Sequence, residues 1–151
     1  MVRPDKIISG GQTGADQGAL VAAKQLGIPT GGWMPRGFLT EAGPCPELRD
    51  LYGMNEHPSS KYPPRTRQNV LDADGTIWIS GDDEDSRGKM ATYRVVDDHN
   101  KPFLNNPDAH TLRGWLAQWN IRILNVAGPR GSRDPQAHRR AAELIIEAFG
   151  A

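Results

Sequence analysis

Three groups of basic residues stand where helices are expected to begin: Arg65 and Arg67 in PPRTRQN, Arg87 and Lys89 in DSRGKMAT, and Arg130 and Arg133 in GPRGSRDP. A helix N-terminus already carries about half a positive charge, so a cation there is opposed by roughly 0.3–1 kcal/mol unless something negative compensates. One such arginine would carry no weight, because a long side chain can swing into water. Three groups on the same edge of one sheet ask for a shared anion. A fourth stretch agrees with them. Gly10, Gly11, Gln12, Thr13 and Gly14 follow a short apolar strand and precede a helical pattern, and glycines there let backbone N–H groups approach a ligand closely. The expected chemistry is capture of a phosphate or similar oxyanion by N–H groups, helix dipoles and cations together. The glycine spacing fits neither the dinucleotide fingerprint nor the Walker pattern, so it does not name the ligand. A turn that only packs helix on strand is the competing reading.

The run Asp82, Asp83, Glu84 and Asp85 follows another strand. It could pair with Arg87 and Lys89, point into solvent, or hold a divalent cation such as Mg that bridges to phosphate.

These residues need a scaffold. Short β-branched or aromatic runs at 7–9, 30–34, 76–80, 102–104 and 121–127 alternate with longer segments, most of them helical in pattern. Ala19, Ala22, Ala23 and Leu26 share one helical face that Gly27 ends; Leu112, Trp115, Leu116 and Trp119 share another, and Ala141, Leu144, Ile145 and Ala148 a third. Asp134 is the expected N-cap of the last helix, with Pro135 at its first position. Thinner patterns place helices at about 64–74 and 88–99. Such alternation implies parallel strands joined by right-handed crossovers, a doubly wound α/β domain with helices on both faces of a mostly parallel sheet. Ligands of that fold bind beyond the carboxyl ends of the strands, where all these residues fall. The proline-rich stretch 35–63, with a short strand expected near 55–57, is either a functional loop or lid, or a peripheral decoration.

Composition bounds the function. One domain is expected over 151 residues, 37% hydrophobic and 24% charged. Eighteen basic residues balance eighteen acidic ones, so no global field draws the chain to nucleic acid or to a membrane surface. No apolar run approaches the ~18 residues of a membrane span, and MVRPDK leads straight into a strand without a signal sequence, so a cytoplasmic protein is expected. Cys45 is the only cysteine, which excludes an intramolecular disulfide and paired zinc spacings. The four histidines, His57, His99, His110 and His138, have no partner at ligand spacing. Ser9 and Ser80 follow strands without a base beside them, and are expected to cap turns or donate to a ligand. Trp33 and Trp78 are expected in the core, or stacked on a ring at the mouth of the site. Trp115 and Trp119 suit packing or a dimer interface.

Taken in order, IISGGQTGADQGAL, GGWMPRG, RTRQNVLDADGTI and NVAGPRGS resemble the molybdenum cofactor carrier protein family, which shares a Rossmann-like superfamily of nucleotide binders with the cytokinin-activating phosphoribohydrolases. The likeness runs from Ile7 to the last helix. It implies glycine loops that cradle an anionic, phosphate-bearing pterin, molybdopterin, whose own dithiolene sulfurs hold the molybdenum. It further implies a carrier and not an enzyme, a homo-oligomer, and molybdoenzymes as recipients. Gly10, Gly11, Gln12, Thr13 and Gly14 match the first loop, Arg65, Arg67 and Asn69 the helix facing it, and Gly128, Pro129 and Arg130 the last loop. Ser80, Gly81, Ser86, Gly88, Lys89 and Thr92 fall in the middle motif, where the chain departs from its relatives. They tend to read Ser-Gly-Gly-Thr-Ala-Leu-Thr; this chain has Arg87 in place of a glycine and Lys89 in place of a threonine. The phosphoribohydrolases carry a supporting glutamate after that motif, and here none follows before Glu143. A nucleotide-binding protein or nucleoside monophosphate hydrolase is the first alternative, and an interaction module without a ligand the second.

Overall fold

The computed structural model describes residues 2–79 and 86–150, with the side chain of Ser86 left aside. The chain runs β1 (Lys6–Ile8), α1 (Ala15–Gln25), β2 (Thr30–Met34), β3 (Leu39–Thr40), β4 (Gly43–Pro44), α2 (Glu47–Tyr52), β5 (Met54–Glu56), α3 (Tyr62–Asp72), β6 (Gly75–Trp78), α4 (Ser86–Asp98), β7 (Phe103–Asn105), α5 (Ala109–Trp119), β8 (Ile123–Ala127) and α6 (Ala137–Phe149). Six strands form one sheet in the order β5-β2-β1-β8-β6-β7, and every pairing in it is parallel. This is the expected doubly wound α/β arrangement. The last strand to be made, β8, lies between β1 and β6, so the glycine loops after β1 and β8 emerge side by side.

The three helical faces read from the sequence build the main core. Ala15, Ala19, Ala22 and Ala23 of α1, Leu112, Trp115 and Leu116 of α5, and Ala141, Ile145 and Ala148 of α6 pack with Ile7, Ile77, Leu124 and Val126 of the sheet. Small residues on α1 and α6 let the two helices approach closely: a Cβ on Gly18 would collide with the His138 carbonyl. Trp115 is buried and Trp119 is 55% exposed, so only the first of the pair serves this core. On the opposite face lie α3 and α4, which contribute fewer apolar side chains, chiefly Val70 and Val96.

Several boundaries shift. Gly27 takes the left-handed conformation after α1 (φ 74°) as expected. Asp134 does not cap α6 directly: its carboxylate accepts from the Gln136 N–H at 2.9 Å, closing a turn that includes Pro135, and the helix starts at Ala137. The proline ring thus sits ahead of the helix and not in its first turn. Helix α3 starts at Tyr62 and ends at Asp72, two residues earlier at each end than expected. The stretch 35–63 contains a two-stranded hairpin, β3–β4, and helix α2 as well as the expected strand, which is β5. Phe38, Leu48 and Met54 from this stretch form a second apolar cluster with Leu20 and Met34.

One side chain shapes the sheet edge where the site lies. Strand β1 pairs with β2 through Ile7↔Thr30 and Ile8↔Gly31, then turns away into the glycine loop. Beyond that point Trp33 has lost its neighbour on one side. The Asn69 carboxamide takes the vacant place: its oxygen accepts from Trp33 N at 2.8 Å and its nitrogen donates to Trp33 O at 3.0 Å. A side-chain amide here substitutes for a peptide group, as buried backbone polar groups require.

Candidate functional site

Beyond the carboxyl ends of β1, β6 and β8 lies a cleft of about 420 Å³, lined by Gln12, Asp16, Tyr62, Arg65, Trp78, Arg87, Gly88, Thr92, Gly128, Arg130 and Arg133, with Pro63, Thr66, Ala91 and Ala127. Four arginines from three separate helix-start or loop segments therefore share one cavity, as the basic groups in the sequence require. Arg67, one residue pair on from Arg65, is exposed and outside the lining. Lys89 also lies outside the lining residues, although Gly88 and the buried Thr92 are among them. Ser80, Gly81 and the run Asp82, Asp83, Glu84 and Asp85 lie outside the described residues, as does the side chain of Ser86. Among the described residues no cluster of three or more His, Cys, Asp or Glu side chains could hold a metal ion.

The first loop is built around Arg65. Its guanidinium lies so close over Gly10 that a Cβ there would overlap it, and the Asp16 carboxylate flanks the same position. A side chain at this place would require the Arg65 guanidinium and the Asp16 carboxylate to move. The guanidinium carbon also sits 5.5 Å from the centre of the Tyr62 ring, within cation–π range. Asp16, 5% exposed, accepts from the Gln12 N–H at 3.2 Å. Burial pushes its pKa up to about 6 against the opposing effects of Arg65 and of the Gln12 and Gly10 N–H groups. Burial likewise lowers the pKa of Arg65, against the pull of Asp16 and Tyr62; a guanidinium stays charged all the same. Ser9 is spent inside the turn, with its hydroxyl donating to the Asp16 carbonyl and accepting from the Gly11 N–H.

Three buried donors of the cleft have no hydrogen-bond partner among the described residues: Arg65 Nε, Trp78 Nε1 and Arg130 Nε. An orphaned buried donor costs roughly 1–3 kcal/mol, and native proteins rarely leave one without a reason. All three belong to side chains that line one cavity, and the Arg130 Nε lies 3.6 Å from the Glu41 carboxylate. Trp78 is thus core and cleft wall at once. Trp33 is neither of the expected things: half-buried away from the cleft, it donates from Nε1 to Asp72 at 2.8 Å. Asn69 is buried and its amide is engaged by Trp33, so it braces the sheet behind the site.

The two glycine loops are stitched to one another. Gly14 (φ 85°) leaves no room for a Cβ against the Pro129 carbonyl and the Gly131 N–H, and Ala15 N donates to that same carbonyl at 3.2 Å. Thr13 Oγ1 accepts from Gly131 N at 3.1 Å. A residue the sequence did not single out, Glu41 at the tip of the β3–β4 hairpin, reaches into this seam. It accepts from the Thr13 hydroxyl and from the backbone N–H and hydroxyl of Ser132, with Arg130 Nε 3.6 Å from Oε2. Its own N–H donates to Gln12 Oε1 at 2.8 Å. Burial pushes the Glu41 carboxyl up, but the donors from Ser132 and Thr13, with Arg130, outweigh it and hold the group below the ordinary carboxylate range. A glutamate in the hairpin sequence Thr-Glu-Ala-Gly carries no local signature of such a role.

Residues 7–149 match the family described as circularly permutated YpsA SLOG. The crystal structure of a protein from Syntrophus aciditrophicus SB, named as a "putative molybdenum carrier protein", superimposes with a TM-score of 0.88 at 39% sequence identity, over 98% of this chain and 96% of that one. No curated protein matches the chain.

Proposed function

The chain belongs to the circularly permutated YpsA SLOG family, and from that premise we propose that it binds, protects and delivers the molybdenum cofactor. The observation that carries this reading is one cleft lined by Arg65, Arg87, Arg130 and Arg133, with partnerless buried N–H donors on the lining side chains of Arg65, Trp78 and Arg130. The likeness to the molybdenum carrier-named protein supplies the ligand class. The residues present suit such a group. A cavity of about 420 Å³ falls inside the ~300–1,000 Å³ of small-ligand sites, and charged donors are what a phosphate recognises. Arg65 and Arg130 would hold the phosphate, with Gln12, Gly128 and the backbone of the first loop around it. Trp78, Gly88 and Thr92 would line the rest of the ligand. Molybdenum, as cargo, would stay on the ligand's own sulfurs.

In this reading the protein acts in the cytoplasm, as a homo-oligomer, and passes its ligand to molybdoenzymes. No helix among the described residues is long and apolar enough to cross a membrane. The test is retention of isolated molybdenum cofactor through gel filtration, followed as pterin and metal in the protein peak with adenosine monophosphate as competitor. Retention that the nucleotide does not displace is the expected result. Absence of retention, or ready displacement, would overturn the carrier reading.

One observation favours a second reading. A carboxylate with a pKa near 6, Asp16, lines the same cleft, and a nucleoside monophosphate hydrolase needs a carboxylate near the sugar to steady developing positive charge. Release of free base from adenosine monophosphate, abolished by Asp16→Asn, would establish it.

A further inference from the structure

The seam between the two glycine loops is closed by a residue that belongs to neither of them. At one point meet the Thr13 hydroxyl, the Ser132 N–H, the Ser132 hydroxyl and the Arg130 guanidinium, and all face a single carboxylate, that of Glu41. Backbone N–H, hydroxyls and a guanidinium converging on one negative group is the donor set by which proteins hold phosphate. Glu41 does not belong to either loop. It arrives from the tip of a hairpin of two-residue strands, Leu39↔Pro44 and Thr40↔Gly43, 91 residues away in sequence from Ser132.

We propose that Thr13, Arg130 and Ser132 form a binding subsite for a tetrahedral oxyanion, and that the carboxylate of Glu41 is its displaceable intramolecular occupant. The occupant is tied to the cleft. Glu41 N holds the Gln12 carboxamide, and its carboxylate holds Arg130; both Gln12 and Arg130 line the cavity. When an external anion displaces Glu41, the hairpin tip lets go of Gln12 and leaves Arg130 to the incoming charge. A tethered carboxylate competes at an effective concentration of about millimolar or more, so only an anion with more charge, or with further contacts in the cleft, replaces it. The hairpin therefore discriminates against weakly charged ligands. This deepens the anion-binding reading above and rests on it only in sharing Gln12 and Arg130.

The probe is inorganic phosphate, titrated into the full-length protein with its Glu41→Gln and Glu41→Ala variants, and followed by the amide NMR signals of Gly131 and Ser132. Glutamine keeps the side-chain volume but offers one acceptor oxygen and no charge to four donors; alanine removes the group. The expected result is phosphate binding at least tenfold tighter in both variants than in the parent, with the largest shifts at Gly131 and Ser132, and loss of that gain when Thr13→Val is added. Unchanged affinity in well-dispersed variants overturns the proposal, as does a gain whose shifts centre on Gly10 and Gly11. Repeating the titration on cofactor-loaded protein separates the sources of the anion. A gain that vanishes assigns the subsite to the ligand's own phosphate, and one that persists assigns it to a free oxyanion. Because phosphate alone is the probe, the gain can appear in a protein that fails to retain the cofactor, and retention can appear without the gain, so the two readings fail separately.

Discussion

Two patches of the same sheet edge handle their donors in opposite ways. On the side chains that line the cleft, the Nε atoms of Arg65 and Arg130 and the indole N–H of Trp78 are shielded from water and meet no hydrogen-bond acceptor among the described residues. A short distance along the edge, at the loop seam, the donors of Thr13, Gly131 and Ser132 are satisfied by Thr13 and Glu41. Arg130 stands at the border, its charge paired with Glu41 and its Nε without a hydrogen bond. The seam closes its own polar accounts by folding; the cleft leaves them open. The cleft has a carboxylate too, that of Asp16 beside Arg65, but it accepts from the Gln12 N–H and not from these three donors. In the reading proposed above, the negative charge that meets the cleft arginines comes from a ligand, whereas at the seam Glu41 holds that place until an anion displaces it.

The comparison breaks most readily at the arginines. Replacing Arg65 and Arg130 together with alanine removes two charge-assisted donors of roughly 1.5–3 kcal/mol each, so anion or cofactor affinity should fall by more than about 100-fold. Calorimetric titration against the parent checks this, with Arg67→Ala as the control. Arg67 is exposed and outside the lining, and its loss should leave affinity unchanged. Equal losses from Arg67→Ala and Arg65→Ala would mean that binding follows general surface charge and not the cleft.

Asn69 sharpens the same contrast from behind. Its carboxamide is buried and fully used on Trp33, so Asn69→Ala should destabilise the fold by about 2 kcal/mol, the usual cost of leaving backbone groups unpaired. Urea unfolding reads that loss. Anion affinity, measured under conditions where the variant is folded, should change less than about threefold. A large loss of affinity at intact stability would return Asn69 to the set of ligand-contacting residues.

How much of this was legible beforehand depends on the range of the cause. The α/β order, the three apolar helix faces and the strand positions are local patterns of period 2 or 3.6, and they appear in the sequence as they do in the fold. The convergence of Arg65, Arg87, Arg130 and Arg133 was legible as well, because the carboxyl edge of a parallel sheet gathers whatever follows its strands. Side-chain direction was not. Arg65 and Arg67 are two apart on one helix, about 200° of rotation, so only one of them can face the cleft. Nothing before folding says which. The hairpin inside 35–63 and the reach of Glu41 to Ser132 depend on a contact across 91 residues, to which no local spacing points. The position of β8 between β1 and β6 is of the same kind: alternation predicts parallel strands and not their order.

The subtlest test of the contrast is its pH dependence, since among the described residues that line the cleft one, Asp16, carries a carboxylate. The folded-state pKa of Asp16 is raised from 3.8 to about 6, chiefly by burial. The sign follows from linkage: protonated Asp16 favours the folded state, a contribution fully present below the unfolded value and lost as pH rises through about 6. The same proton removes a repelling charge from beside Arg65. Sulfate, which keeps its charge between pH 5 and 7.5, should therefore bind more tightly at the lower value, by roughly fivefold for a partly screened charge at this range. In Asp16→Asn the affinity should be flat over that interval and match the low-pH value of the parent. A parent that is already flat would place the bound anion beyond the reach of Asp16, at the loop seam and not in the cleft. Glu41→Gln should keep the slope, because that carboxylate, held below the ordinary carboxylate range, stays charged throughout; loss of the slope in this variant would locate its origin in the hairpin instead.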